Sequence, residues 1–302
     1  MLLEKIEPGC EIGMEACSGA HHWARLLQAK GFTVQLIAPQ FVKPYVKSNK
    51  NGANDAEAIC EAMSRPSMRF VGVKTVEQQD IQAVHRVRSG LMEQRKAKAN
   101  QLRGLASEYG LVAARELPHL RSAIPRWLED QENGLSERFR KLLRGLWQDL
   151  QVLDERVEEL DREIVQLARQ DPVALRLQQV RGIGPLTATA LLATVGDASQ
   201  FANGRQMAAS FGLTPKQNSS GGKERLLGIS KRGDAYLRSL LVHGARAVIR
   251  TAQAKTDRLS IWAMRIATTR HPNIAAVALA NKTARVAWAM ITRGTDYQAQ
   301  PA

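Results

Sequence analysis

A long heptad seam is the feature that most constrains the fold of this 302-residue chain. Its apolar residues alternate spacings of three and four and are Leu143, Leu146, Leu150, Leu153, Val157, Leu160, Ile164 and Leu167. Such spacing puts one apolar stripe along a helix, which must bury that stripe against another helix. The partner is either the basic amphipathic helix predicted from Val76 to Tyr109, folded back as a hairpin, or the same helix of another subunit.

The segments of the chain differ in their predicted secondary structure. Residues 1–75 alternate short strands with helices, including a strand at Phe32–Ile37, which is typical of a β-α-β unit. These few elements make an incomplete α/β domain, because a parallel sheet normally has more strands. Residues 76–170 predict long helices in a coiled-coil linker, and residues 171–297 predict a helical C-terminal domain. The expected fold class is mixed α/β and mainly α.

Charge is uneven along the chain. Residues 1–170 hold 25 Lys and Arg against 23 Asp and Glu, whereas residues 171–302 hold 18 against 6. The C-terminal part therefore carries +12 of the total net charge of +14. A domain this basic gains free energy on phosphate backbones through counterion release, which favours nucleic acid as the partner. The alternative is a generic basic surface kept for solubility.

Composition also limits where the protein acts. The longest clean apolar run, Ile274–Ala280, falls far short of the roughly 20 residues of a membrane span. The N-terminal residues show no signal-peptide pattern. Three cysteines without a CxxC pair favour reduced thiols over disulfides or a zinc site. We therefore expect a soluble cytoplasmic protein that does not bind a membrane.

The stretch Leu213–Asp234 combines Ser219 and Ser220 with two adjacent glycines, Gly221 and Gly222. It lies between two apolar helix-like segments and carries five cations, Lys216, Lys223, Arg225, Lys231 and Arg232. Glycines allow close approach of a ligand to the backbone, and the cations could clamp phosphates around a serine hydroxyl. The stretch thus predicts either a serine nucleophile acting on a phosphodiester or a solvated surface loop.

A second glycine motif begins at Arg181, where Gly182 and Gly184 directly precede a predicted helix. The pattern is similar to the hairpin of helix-hairpin-helix modules, whose backbone N–H groups contact DNA phosphates without reading sequence. A tight interhelical turn is the alternative.

Two carboxylates stand where α/β folds gather functional groups. Glu15 ends a predicted strand, and Asp55 begins a predicted helix. Such a pair can share a magnesium ion, although phosphoryl-transfer sites usually gather more ligands. Asp55 is otherwise explained by the favourable position of an acid at a helix N-terminus, and Glu15 by simple surface exposure.

Five stretches of the sequence match a known family. They are MEACSGAHHWAR, VKPYVKSNKN, VRGIGPLTATALLATVGD, FGLTPKQNSSGGKERLLGISKRGDAYLRSLLVHGARA and ALANKTARVAWAM. Over nearly its whole length the chain resembles the IS-one-ten insertion-sequence transposases, also called DEDD transposases. The resemblance implies a RuvC-like (RNase H-like) domain with four acidic residues and Mg²⁺, a coiled-coil segment, and a C-terminal transposase domain with a catalytic serine. It also implies a structured guide RNA that specifies donor and target DNA.

Carried over by position, the family's glutamate falls on Glu15, its final aspartate on Asp55 and its serine on Ser220. The family's first aspartate lies on an opening strand that would precede Met1, and the third acidic position is Gly52 here. Glycine has no side chain to bind a metal. The resemblance therefore leads us to expect an N-terminally truncated copy that lacks half of its metal site.

The sequence as a whole indicates a homo-oligomeric transposase that cleaves and rejoins DNA through a serine nucleophile and metal-bound carboxylates, impaired in this copy. The alternative is a non-catalytic DNA- and RNA-binding remnant that competes with intact transposase. A RuvC-like nuclease without serine chemistry is disfavoured, because its carboxylate site is the damaged part.

Overall fold

The computed structural model describes residues 7, 9–47 and 51–298. Residues 1–6, which bear on the signal-peptide prediction, and residues 48–50 of the VKPYVKSNKN stretch lie outside the described residues. The chain divides into two compact units. One combines Met1–Asp80 with Asp171–Ala302, and the other is Ile81–Gln170.

The larger unit contains a small three-stranded sheet. Its strands are β1 (Glu11–Glu15), β2 (Thr33–Ile37) and β3 (Phe70–Val71), in the spatial order β1-β2-β3. β1 and β2 are parallel, and β3 runs antiparallel to β2. Because parallel strands need a crossover, helix α1 (Ala20–Ala29) connects β1 to β2 and packs on one face of the sheet. The predicted β-α-β unit is confirmed.

Helix α3 (Gly52–Met63) packs against the other face of the sheet. It follows α2 (Pro39–Val42) and a 3-10 turn at Lys43–Tyr45. The approach is close at Gly13 of β1, where an added Cβ would lie 1.9 Å from the Met63 sulfur and 3.0 Å from Ile59. A side chain at position 13 would therefore have to displace the Met63 side chain, which packs directly over Gly13.

The remaining elements of this unit are mainly helical. They are α7 (Pro172–Leu177), α8 (Pro185–Val195), a 3-10 turn (Ala198–Gln200), α9 (Gly204–Ser210), β4 (Pro215–Gln217), β5 (Leu226–Ile229), α10 (Ala235–Ala252), α11 (Arg258–Thr269) and α12 (Pro272–Arg293). α12 is the central helix and packs against α9, α10 and α11. Its buried face is rich in alanine, which lets neighbouring helices approach closely.

Gln200 links the sheet to this helical part. The Gly72 N–H donates to its side-chain oxygen at 3.4 Å, and its side-chain amide donates to the Asp197 carbonyl at 2.8 Å. The sheet and the C-terminal helices are therefore tied together within one unit.

The smaller unit consists of long helices, as the sequence predicts. α4 (Val76–Ser107) begins in the larger unit, and α5 (Leu117–Glu129) and α6 (Glu137–Gln170) follow. The seam lies on α6. Its residues 143, 150, 157 and 164 are buried, and its residues 146, 153, 160 and 167 are half-buried.

Three ion pairs join α4 to α6. Arg88 pairs with Asp161 at 2.5 Å, Arg95 with Asp154 at 3.4 Å, and Lys98 with Asp149 at 2.9 Å. The partners' numbers rise along α4 and fall along α6, so the two helices are antiparallel. Of the two pairings considered for the seam, the one within the chain is present.

Helix α5 contains two prolines. Pro118 lies in the first turn, where no backbone N–H is needed, and Pro125 lies inside the helix. The fully buried Leu120 and Ile124 pack in the core with α6, and this burial outweighs the hydrogen bond that Pro125 removes. Tertiary packing thus overrides the local preference of proline against a helix interior.

Among the described residues, one helix, α12, has the length and mean hydropathy of a possible membrane span. Within its apolar window 44% of the residues are buried inside the protein. Much of its apolar surface is thus already used in packing against neighbouring helices.

Candidate functional site

The serine-containing stretch forms a β-hairpin. The sequence predicted a polar turn between helix-like segments, but β4 and β5 pair antiparallel and the turn joins them. Gly221 and Gly222 have φ values of 56° and 75°, as both central residues of a type I′ turn require. The Lys223 N–H closes the turn by donating to the Ser220 carbonyl at 3.1 Å. The two glycines thus serve the turn geometry.

The two serines have different environments. The Arg225 N–H donates to the Ser219 hydroxyl oxygen at 3.1 Å, so Ser219 helps to hold the hairpin together. Among the described residues, no hydrogen bond involves the Ser220 hydroxyl, and Ser220 is exposed beside the tip. Ser220 is therefore the serine whose hydroxyl is available to a ligand.

All five cations of the stretch are exposed on the hairpin or at its base. They are Lys216, Lys223, Arg225, Lys231 and Arg232. Within the part of the chain that the structure describes, none of them forms an ion pair with a carboxylate. The hairpin that carries Ser220 therefore presents uncompensated positive charge, which suits a phosphate.

The base of the hairpin is held tightly against the preceding helix. A Cβ at Gly233, where φ is 100°, would lie 1.8 Å from the Ser210 carbonyl oxygen. The Asp234 N–H donates to that same carbonyl at 3.1 Å, and the Asp234 carboxylate caps α10 through the Leu237 N–H at 2.8 Å. These contacts fix the base of the hairpin, whereas its tip is exposed.

The two predicted carboxylates, Glu15 on β1 and Asp55 on α3, lie on the same side of the sheet. Glu15 lies two residues beyond Gly13 on β1, so both point to the face that α3 covers. Asp55, Ile59 and Met63 are one helical turn apart, and the latter two meet Gly13. Both carboxylates are half-buried. The structure therefore puts Glu15 and Asp55 in the layer between β1 and α3.

The residues do not form a complete metal site. Among those described, no group of three or more His, Cys, Asp or Glu side chains is arranged to hold a metal ion. Gly52 begins α3 and has open space beside its Cα, since an added Cβ would meet nothing within 4 Å. Two carboxylates leave most of the coordination of a hard divalent cation to water.

A cleft lies between the sheet and the base of the hairpin. Its volume is about 760 Å³, and one wall contains Ala38 and Phe41, just after the carboxyl end of β2. The facing wall contains Arg232 and Gly233. No hydrogen bond or ion pair joins the hairpin to Glu15 or Asp55 among the described residues. Glu15 and Asp55 are not among the described residues that line the cleft.

Part of the glycine motif at Arg181 packs against helix α10. Gly182 has a φ of 90°, and a Cβ there would lie 3.1 Å from the Gly244 backbone in α10. A Cβ on Gly244 would lie 2.0 Å from the Gly182 carbonyl oxygen. Gly184 is exposed and precedes α8. The turn thus has a packing role at Gly182, whereas Gly184 remains accessible to a phosphate.

Arg181 itself forms an ion pair with Asp257. Asp257 also caps α11, accepting hydrogen bonds from the Ser260 N–H at 3.0 Å and the Ser260 hydroxyl at 2.8 Å. Desolvation acts to raise the pKa of Asp257, but the bonds from Ser260 and the Arg181 guanidinium together lower that pKa to about 2. Arg181 thus has a structural partner, which the sequence did not reveal.

Two family models match the chain. The one described as "Transposase IS116/IS110/IS902 family" matches residues 174–259, and a DEDD transposase model of the IS110 type matches residues 2–110. The first includes the serine hairpin and the glycine turn. The second includes β1, α3 and both carboxylates.

Several curated proteins are similar along most of their length. A "Probable family 20 transposase" of Pseudomonas aeruginosa is 52% identical over 96% of this chain and 86% of its own length. The "Transposase for insertion sequence element IS1111A" of Coxiella burnetii is 47% identical over 97% of the chain and 80% of its own. The "Transposase for insertion sequence element IS1328" of Yersinia enterocolitica is 43% identical over 96% of this chain and 86% of its own length. The chain therefore belongs to the IS110/IS116 family of insertion-sequence transposases.

Proposed function

We propose that the β-hairpin is the DNA-cleaving arm of this transposase and that Ser220 is its nucleophile. The observation that carries the proposal is the exposed Ser220 hydroxyl, free of hydrogen bonds among the described residues. It lies on a hairpin whose strands, turn and base carry five cations without carboxylate partners there. A nucleophile must be accessible and must not be held by its own protein. The cations stabilise the negative charge that develops on the phosphate oxygens as the reaction proceeds.

The reaction is a phosphodiester exchange. The Ser220 oxygen attacks phosphorus, a serine–phosphate bond forms, and the bond from phosphorus to one deoxyribose oxygen breaks. The hydroxyl proton passes to a base, and the leaving oxygen takes up a proton. Because the bond energy is retained in the serine–phosphate ester, a second DNA hydroxyl can attack it and rejoin the strands.

The carboxylates Glu15 and Asp55 would contribute to a divalent metal site, with Mg²⁺ as the preferred ion. Such an ion would act as a Lewis acid on the phosphate. Gly52 provides no ligand, so we expect weak binding and an impaired enzyme. Arg181, Gly182 and Gly184 would form the DNA-binding turn at the start of α8. Gly184 would meet the phosphate, whereas Gly182 and Arg181, through its ion pair with Asp257, would fix the shape of the turn. In this proposal the protein acts in the cytoplasm as an oligomer, on DNA and with a structured guide RNA.

A second candidate function is a non-catalytic DNA- and RNA-binding protein that competes with intact transposase. The glycine at position 52, which offers no side chain to a metal, favours it. Charged hairpin residues would then bind phosphates, and Ser220 would do no chemistry.

Trapping of a protein–DNA adduct distinguishes the two candidates. Full-length protein that carries Gly52→Asp and an added N-terminal strand with the family's first aspartate is incubated with element-end DNA, guide RNA and Mg²⁺. It is then denatured and examined for a covalent product. We expect Ser220→Ala to abolish the adduct while DNA affinity changes less than about twofold. Ser219→Ala is the matched control and should retain the adduct at a reduced yield.

An adduct that persists in Ser220→Ala, or that maps to another residue, contradicts the nucleophile assignment. If the parent protein forms no adduct yet still competes with an intact relative for DNA, the second function is supported.

A further inference from the structure

A groove of about 1490 Å³ lies between the hairpin and α12 and has no part in the proposed chemistry. Its floor includes Val277 and Ala278 of α12, and one wall includes Leu227 and Ile229 of β5. Trp262 of α11 contributes another wall. The groove is mainly apolar and is lined by two half-buried tryptophans, Trp262 and Trp288. A ligand with flat apolar surfaces would gain by entering it.

The charged residues that line the groove are all cationic. Its charged lining residues are Arg205, Lys282 and Arg285, and no carboxylate is among the described residues that line it. The Lys282 ammonium lies 4.7 Å from the centre of the Trp262 ring. In the described part of the chain, none of the three cations forms an ion pair. An anionic ligand would therefore meet uncompensated positive charge.

Helix packing brings two of these cations together. A Cβ at Gly204 of α9 would lie 2.9 Å from the Arg285 Cα, so α9 and α12 cross with their backbones in close contact. Arg205 follows directly, and both arginine side chains are exposed. Both arginines also line the groove. The close crossing of α9 and α12 thus places two cationic residues on the same groove.

We propose that this groove binds an unpaired stretch of nucleic acid. Its bases would contact Trp262 and the apolar floor, and its phosphates would contact Arg205, Lys282 and Arg285. The combination of an aromatic ring, an apolar surface and cations is what single strands recognise, because every base has an apolar face beside an anionic backbone. A duplex keeps its bases stacked inside and would leave the apolar floor in water.

The proposal rests on the proposed function only in taking nucleic acid as the partner. DNA and RNA share the required chemistry, so both must be compared. The test uses the full-length protein and fluorescence anisotropy with labelled dT12, U12 and a 12-base-pair duplex at several salt concentrations. Whichever single strand binds more tightly identifies the natural source of the ligand.

The key variant is Trp262→Ala. Loss of one stacking contact should weaken binding of the preferred single strand by about 5-fold to 100-fold, whereas duplex binding changes less than about twofold. Arg285→Ala should lower the slope of log affinity against log salt by about 0.7 for single strands. Trp23→Ala is the matched control, since Trp23 is 53% exposed on α1 in the same unit.

A second variant, Ile274→Asp, distinguishes a loss of binding from a folding defect in Trp262→Ala. Ile274 lines the groove and is 53% exposed, so the substitution adds a carboxylate that repels phosphate without opening a core cavity. It should also weaken single-strand binding at least fivefold. The proposal is overturned if both variants keep single-strand affinity within twofold of the parent protein, or if Trp23→Ala has the same effect. Neither result bears on whether Ser220 forms an adduct.

Discussion

Asp257→Ala tests whether the turn at Arg181 is held by α11 rather than by DNA. The change removes the cap of α11, which contributes about 1 kcal/mol in typical helices. It also breaks the ion pair with Arg181, in which both side chains are about a quarter exposed, at 28% and 27%. Such a partly exposed pair contributes about 0.2–1 kcal/mol. The expected loss in the free energy of unfolding is therefore about 1–2 kcal/mol.

Thermal unfolding at pH 7, followed by circular dichroism, measures this loss. A unit of roughly 200 residues shifts its melting temperature by about 2–4 °C for each kcal/mol, so we expect a decrease of about 2–8 °C. Asp234→Ala is the matched control, because Asp234 caps α10 without an arginine partner among the described residues. A double-mutant cycle with Arg181→Ala should give a coupling free energy of about 0.2–1 kcal/mol.

The effect should depend on pH in a defined direction. The pKa of Asp257 is lowered from 3.8 to about 2 in the folded protein. A depressed carboxylate pKa contributes stability that is complete above about pH 4 and is lost as pH falls through 2. The difference between parent and variant should therefore shrink below pH 4. If the coupling is zero and Arg181→Ala weakens DNA binding tenfold instead, Arg181 contacts phosphate and the structural explanation is wrong.

Three further predictions concern metal, assembly and charge. Calorimetric titration with Mg²⁺ should detect no stoichiometric site of micromolar affinity, because two carboxylates offset little of the cost of dehydrating the ion, and Gly52→Asp should strengthen binding. Replacement of the half-buried Leu153 and Leu160 by Asp should dissociate an oligomer in light scattering, whereas a monomeric parent protein would show that the seam serves the chain alone. Duplex binding should weaken steeply with salt, and Lys223→Ala should reduce the slope by about 0.9, so a flat response would contradict the electrostatic argument.

The sequence predicted the seam helix α6 well because its signal is local. The seam on α6 follows from the spacing of its own residues, and it required a long helix regardless of context. The partner of that helix could not be decided from spacing alone. Ion pairs such as that between Arg88 and Asp161 join residues far apart in sequence. Many charged residues on α4 and α6 could have paired with other partners.

The site was predicted in part. Ser220, with its glycines and cations, was visible in the sequence, but the hairpin was not, because β4 and β5 are only three and four residues long. Residues 215–228 are exposed and show no buried alternation that would indicate strands. The groove residue Trp262 was missed for a different reason. It lies on α11, a helix that the sequence pattern did not predict, and becomes part of a site only when α12 and the hairpin pack around it.

The exposure of residues 215–228 of the hairpin has a consequence for how the proposed reaction would be controlled. Two short strands that bury little surface have marginal stability in water, so their order depends on what contacts them. Nucleic acid bound along the hairpin and its cations would supply the missing contacts and fix the arm. Part of the intrinsic binding free energy would then be spent on conformational entropy, and the arm would become rigid only on nucleic acid. Under the proposed function, the Ser220 hydroxyl would be held still only where a bound phosphodiester lies beside it, so the free protein would not attack other phosphodiesters in the cell.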